Sequence, residues 1–342
     1  MNAAVLLPSL ALLSGVIGAG FASGREIIRF FAVHGKASFA AIVCALLSLS
    51  FFFLRLCAQM EYAGCTSLVA LCRHRLGRKL GAICTALFFL LSAVTGGAML
   101  SACAEIGALL FPVRHAYVLT LAASLILSLF LAHWETGGLA LPGAVLCVVL
   151  PALLIPLLSV SKGEACFLPA IAPDLPIRAV SDGIAYGALN AAMMAGMLPL
   201  LLQLPSRSRW ISVCLFALLF GSLLSLAVFV CQNHMAEIYM QPMPFVYLSR
   251  SLGKRGYLLL CACMLSASFS TLLAMLCSMR RLLPFSFGSS HTSLVLCAFL
   301  CLLFALIGFG PLVSSGYPVL GALCTGLLII LCLPGCPTAI NK

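Results

Sequence analysis

The residues best placed to do chemistry form three runs, each inside an apolar stretch. The first is Ser14-Gly15-Val16-Ile17-Gly18-Ala19-Gly20-Phe21-Ala22-Ser23-Gly24-Arg25-Glu26. It holds four glycines in ten positions, which a continuous helix tolerates poorly. At membrane depth, backbone without helical hydrogen bonds survives only where it is buried or lines a cavity. Opening the helix here frees carbonyls for a cation and amides for an anion. The next half-helix adds partial positive charge at its N-terminus. The competing reading is a close-packing face, because Gly20-x-x-x-Gly24 is a GxxxG pattern. The charges at Arg25 and Glu26 weigh toward a break.

The second run, Asp182 to Gly196, contains Asn190, a lone amide in an apolar span, with Tyr186 one turn earlier on the same face. Asn190 reads either as an interhelical hydrogen bond or as a contact that recognises a solute or holds a break open. The third run is Ser266-Ala267-Ser268-Phe269-Ser270-Thr271. Hydroxyls in a membrane helix usually bond back to the preceding turn; adjacent Ser270 and Thr271 are alternatively oxygens for a small hard cation. Two carboxylates, Glu26 and Glu105, lie within spans, where charge is costly unless paired. Arg25 and Arg29 lie at similar depth, so the acids read as members of ion pairs, or as a gate or proton site. Glu61, at the end of a span beside a basic loop, reads as a solvated end charge.

Several chemistries have no residues to carry them. No C-x-x-C occurs, and the cysteines in apolar runs (Cys44, Cys147, Cys214, Cys261, Cys263, Cys297 and Cys301 among them) read as small hydrophobes. His34, His74, His115, His133, His234 and His291 fall in or near loops without ligand spacing. There is no H-E-x-x-H, G-x-S-x-G or aspartate pair within the spans. An enzyme, a resident metal or a cofactor is therefore not expected.

The elements that position these residues are membrane helices. Of 342 residues, 63% are hydrophobic and 8% charged, and mean hydropathy is +1.19. A soluble chain carries about a quarter charged residues. The net charge of +11 lies between apolar runs, where it anchors helix ends at headgroups. No basic patch is interleaved with aromatics, which excludes nucleic acid as a partner. The partners expected are a small solute and the lipid bilayer; the sequence leaves the oligomeric state open.

Hydropathy gives ten spans, near residues 3–33, 38–63, 80–111, 116–133, 139–160, 181–204, 210–231, 256–279, 292–309 and 311–333. The first reads as an uncleaved span rather than a signal peptide, because no Lys or Arg precedes it. The loop from Asn233 to Gly253 suggests a short surface helix. The whole chain, 1–342, reads as a single transmembrane transporter domain of two five-span repeats, about 1–160 and 181–335. A polar stretch with Lys162, Glu164 and Asp174 separates them. Gly-interrupted first spans in both halves point to an inverted repeat. Arg73, Arg75, Arg78 and Lys79 after span two place the N-terminus in the cytoplasm.

Gly18-Ala19-Gly20-Phe21-Ala22-Ser23-Gly24-Arg25-Glu26, then Phe30-Phe31 and His34-Gly35, with Tyr186-x-x-x-Asn190, resembles the YkvI-type bacterial membrane proteins. That family is similar to a distant branch of the amino acid–polyamine–organocation transporters. The resemblance implies an all-α membrane protein with a LeuT-type five-plus-five inverted repeat and broken helices one and six. By position it implies a solute site at Gly18, Ala19, Gly20 and Phe21, with span one unwound over Gly18 to Gly20. Tyr186 and Asn190 complete that site, with span six unwound around Gly187 to Asn190. It further implies a sodium site built from carbonyls near Ser14 and Ile17 and the hydroxyls of Ser270 and Thr271. The chain departs from the pattern at Arg25, where a Gln is expected; the extra cation suits an anionic solute or pairs with Glu26 or Glu105. The expected function is a secondary transporter of the plasma membrane, moving an amino-acid-like solute with sodium or protons by alternating access. The alternatives are a membrane sensor or assembly subunit that reuses the fold, and a channel, which the unequal halves disfavour.

Overall fold

The computed structural model describes residues 3–111, 113–133, 140–159, 176–283 and 290–333. Among them there is helix and no strand. Span one is α1 (Ala3–Val16), α2 (Ala19–Ser23) and α3 (Arg25–Phe30). A 3-10 turn over Ala32–Ala37 leads into α4 (Ser38–Tyr62), span two. Spans three to five are α5 (Leu68–Leu110), α6 (Ala116–His133) and α7 (Ala140–Ser159). Span six is α8 (Pro176–Met193), a 3-10 turn (Met194–Met197) and α9 (Leu198–Leu202). Span seven is α10 (Ser206–Asn233), followed by the short α11 (Met235–Ile238) and α12 (Pro244–Ser249). Span eight is α13 (Gly253–Leu282) and span nine α14 (Ser290–Ala305). Span ten starts with α15 (Phe309–Pro311), passes through a π-helical turn (Leu312–Gly316) and ends as α16 (Tyr317–Cys332). The polar stretch with Lys162, Glu164 and Asp174 lies outside the described residues.

A membrane-crossing helix needs about 20 residues, and among the described residues five helical stretches meet that by length and apolarity: 32–62, 68–110, 206–233, 244–282 and 309–332. Helix α5 is the centre. Every residue from Leu91 to Ala104 is buried, so this stretch meets protein all round rather than lipid. Small side chains make that possible: a Cβ on Gly96 would come within 2.6 Å of the Cys301 sulfur, and one on Gly97 within 2.8 Å of the Cys301 carbonyl. The N-terminal end of α5 starts before the expected Leu80. Its hydroxyl-capped first turn, with the Ser67 Oγ accepting from Ala70 N–H at 3.2 Å, carries the basic residues up to a kink at Gly77 (φ 75°).

Contacts between spans recur five spans on. Helix α1 packs on α7, and α8 on α16; α4 packs on α8, and α10 on α1; α16 packs on α4, and α7 on α10. Helices α5 and α13 pack along one another more extensively than any other pair.

Two expectations change. Span six continues as α-helix through Gly187 and Asn190, and its irregular turn follows at Met194–Met197. The glycines there serve packing. A Cβ on Gly187 would press on the Ala45 carbonyl at 2.6 Å and on the Ser48 hydroxyl, and one on Gly183 would strike the Ala41 carbonyl. The loop from Asn233 to Gly253 is no surface helix either: Phe245, Val246 and Leu248 of α12 are buried, and the Phe245 ring lies on Gly24.

Candidate functional site

Span one opens in the middle of this core. Helix α1 stops at Val16, and Gly18 N–H turns to the Val16 carbonyl at 3.0 Å instead of reaching back one full turn. Gly18 itself is extended (φ −93°, ψ −170°) and caps α2. The break is therefore Ile17–Gly18, shorter than the Gly18–Gly20 expected; Ala19, Gly20 and Phe21 are helical and buried. A second break follows at Gly24, which is left-handed (φ 84°, ψ −4°) between α2 and α3. Only glycine takes that conformation cheaply, and it folds α3 back so that the Glu26 carboxyl rests on the α-carbon of Gly20.

Helix α5 reaches toward both broken spans with one face. Met99 places its sulfur 3.3 Å from Ala19 N–H, and Thr95, one turn earlier, donates to the Met193 sulfur at 3.2 Å. Helix α13 closes the other side: a Cβ on Gly18 would stand 3.3 Å from the Thr271 hydroxyl. Thr95, Met99, Met193 and Tyr317 escaped the sequence reading. The available signal was the i, i+4 pair Thr95 and Met99 flanking Gly96-Gly97-Ala98 in a charge-free stretch.

Four buried polar atoms here and nearby have no hydrogen-bond partner: the hydroxyls of Ser14, Thr271 and Tyr317 and the Oδ1 of Asn190. Such groups are rare because each costs about 1–3 kcal/mol. The Asn190 amide donates to the Tyr186 carbonyl at 2.9 Å, which leaves that oxygen free. The two hydroxyls of the third run part company. Ser270 donates to the Ala267 carbonyl at 3.0 Å, back along its own helix, whereas Thr271 is unpartnered. Orphaned hydroxyls at Ser14 and Thr271 beside an opened helix suit the oxygen chemistry of a hard cation, and the Ser270 oxygen keeps its lone pairs while its proton serves Ala267.

The charged residues do not pair as expected. Arg25 donates to the carbonyls of Tyr239 (3.1 Å) and Gln241 (3.2 Å). Arg29 lies 3.8 Å from Asp182, which also holds His34 at 3.1 Å. Glu105 accepts from Phe309 N–H at 3.3 Å and Ser101 Oγ at 3.4 Å, at the start of α15, where a carboxylate suits exposed amides. Glu26 is 5% exposed and accepts from the Tyr186 hydroxyl at 3.3 Å. Glu61 is not merely solvated: Arg209 grips it with two guanidinium nitrogens, one at 2.9 Å, and also donates to the Leu201 carbonyl in α9 and the Leu204 carbonyl just after it.

No family model and no curated protein matches the sequence. Among solved structures the chain is similar to a variant of a manganese transporter from Eremococcus coleocola (TM-score 0.56, 16% identity, 96% of this chain and 76% of that one). It is also similar to the inward-facing conformation of Mhp1 (TM-score 0.58, 13% identity, 95% of this chain and 75% of that one). At such identities the likeness bears on architecture alone: the chain is an all-α membrane protein with the LeuT-type fold, its first and sixth spans broken.

Proposed function

We propose that the chain is a secondary active transporter, not an enzyme, which moves a small amino-acid-like solute across the plasma membrane by alternating access coupled to an ion. The observation that carries this is the opening at Ile17–Gly18 inside a fully packed core, with the orphaned Thr271 hydroxyl facing it. A structural helix would close that gap. The solute class follows from the unspent groups. Ala19 N–H rests on a thioether, a weak acceptor that a carboxylate replaces with profit. Asn190 Oδ1 is an acceptor waiting for a donor such as an ammonium. On this reading Gly18, Ala19, Gly20, Phe21, Tyr186 and Asn190 form the solute site, and Ser14, Ile17, Ser270 and Thr271 are the candidate sodium donors. The same proposal takes the repeats as about 1–160 and 181–335, the N-terminus as cytoplasmic and the chain as a YkvI-type protein, on the resemblance of its sequence motifs.

Similarity to a manganese transporter does not carry its cargo across: no group of three or more His, Cys, Asp and Glu side chains suited to a metal comes together among the described residues. The test is a thermal-shift screen of the purified protein against amino acids with and without sodium, followed by counterflow of each hit in proteoliposomes. Stabilisation plus counterflow supports the transporter. Stabilisation without counterflow favours the sensor or assembly subunit.

A further inference from the structure

Among the described residues Glu26 is the only fully buried acid, and it has no cation beside it. The elements packed on α3 are α2, α8, α10 and the turns 32–37 and 312–316. Arg25, in α3 itself, is committed to two backbone carbonyls, and Arg29 to Asp182. From the turn 32–37 come His34, held by Asp182, and Lys36, exposed. From α8 come Tyr186, whose hydroxyl meets the carboxyl, and Arg178, exposed. From α10 come the buried thiol of Cys231 and Arg209, tied to Glu61. Tyr317, just beyond the π-helical turn, is buried and adds a second phenol close to the acid. A carboxylate at such depth without a counter-charge is costly, so its charge has to be neutralised or the helix has to move.

The geometry chooses the neutralising species. The carboxyl lies so close over Gly20 that even a Cβ there would overlap it. The Tyr186 ring is wedged between Phe30 (5.2 Å) and Phe31 (4.9 Å). An ammonium or a metal ion would have to displace this packing, and among the described residues the side-chain hydrogen bond given for the carboxyl is that from Tyr186. A proton needs no room. Arg25, Ile28 and Arg29, which flank Glu26, line a cleft of about 410 Å³ with Arg178, so water stands one helix face away. Gly24 is the single left-handed residue that joins α3 to α2.

We propose that Glu26 binds and releases a proton, and that this proton decides whether α3 lies over the opening in span one or swings on Gly24 away from it. With the proton bound, the neutral carboxyl docks on Gly20 and accepts from Tyr186, the arrangement seen here. With the proton released, the carboxylate turns toward the water of the cleft and takes α3 with it, uncovering the Ile17–Gly18 segment. The inference rests on the transporter reading only in that the uncovered segment is the solute site. A sodium ion at Ser14 and Thr271 is independent of it.

The test uses the full chain in lipid nanodiscs and no solute. Hydrogen exchange of a peptide covering residues 18–31 is followed across pH, corrected for intrinsic chemical exchange and referenced to a peptide from the middle of α5. In the wild type the exchange of 18–31 rises with pH against the reference. In E26Q that pH dependence is lost and exchange stays slow. In Y186F it remains, with a displaced midpoint. The same pH response in E26Q as in the wild type overturns the proposal. Should E26Q not fold, the wild type and Y186F carry the test: a flat wild-type profile, or an unmoved midpoint in Y186F, overturns it. A flat profile leaves the transporter reading intact, and a failed solute screen leaves the exchange result readable.

Discussion

Replacing two glycines by alanine, one in each broken span, separates packing from function. At Gly187 the new methyl meets backbone: the Ala45 carbonyl oxygen at 2.6 Å and the Leu49 nitrogen at 3.0 Å. Ordinary contact begins at 3.4 Å, so α8 has to stand off from α4 by about 0.8 Å, and neither helix backbone can yield locally. Overpacking of that kind costs about 1–3 kcal/mol, or about 5- to 150-fold in the ratio of folded to unfolded protein. At Gly20 the methyl meets the Glu26 side chain from its carboxyl back to its γ-carbon, and no backbone is among its nearest neighbours. That carboxyl can rotate toward the cleft, at the loss of the Tyr186 hydrogen bond, worth about 1 kcal/mol net. Gly187→Ala therefore lowers the folded yield on size-exclusion chromatography and the melting temperature. Gly20→Ala keeps most of the yield and changes solute binding; Gly20→Leu, filling the opening itself, abolishes it. Wild-type melting of Gly187→Ala, or collapse of Gly20→Ala to the same extent, would refute the argument.

Thr271→Val removes an unpartnered hydroxyl at constant shape, so the melting temperature holds or rises while any sodium-dependent stabilisation disappears. Ser270→Ala removes the neighbouring candidate oxygen, whose proton alone is spent on Ala267, and weakens the sodium dependence as well; melting curves with and without sodium check both. Arg209→Gln strips Glu61 and the Leu201 and Leu204 carbonyls of their donor. Because Glu61 is 51% exposed, the cost is about 1–2 kcal/mol rather than that of a buried pair, and a double-mutant cycle with Glu61→Gln reads the coupling. Reporter fusions after Arg78, Met240 and Arg281 should read inside, outside and inside; one compartment for Arg78 and Met240 would refute the assigned topology.

The span count and much of each boundary were legible because the bilayer makes a coarse demand on sequence, about 20 apolar residues per helix. Span four, Ala116–His133, is reproduced to the residue. Boundaries slip where a local device, not hydropathy, ends the helix. Helix α5 begins at Leu68 because Ser67 caps it, twelve residues before the apolar run takes over. The segment 233–253 looked like a surface helix from its prolines and polar residues. Phe245 inside it packs on Gly24, a contact that needs a partner far away in the chain and leaves no local periodicity.

The two glycine-rich runs show where such reading stops. Both are rich in glycine and alanine, yet span one opens at Ile17–Gly18 and span six runs straight through Gly187. Glycine lowers the cost of two different things, leaving the helix and approaching another helix closely, and composition does not say which. The deciding information lies in the partner. Gly183 and Gly187 face the backbone of α4, where any side chain is excluded. Gly18 faces the thioether of Met99 and the hydroxyl of Thr271, which leave the opened backbone polar company without filling its hydrogen bonds. The same holds for the charges. Arg25 and Glu26 are adjacent in sequence and invite pairing, but the left-handed turn at Gly24 sends Arg25 to the carbonyls of Tyr239 and Gln241 and folds Glu26 inward onto Gly20. One backbone dihedral thus turns an expected ion pair into a buried acid without a counter-charge, and only the folded chain reveals it.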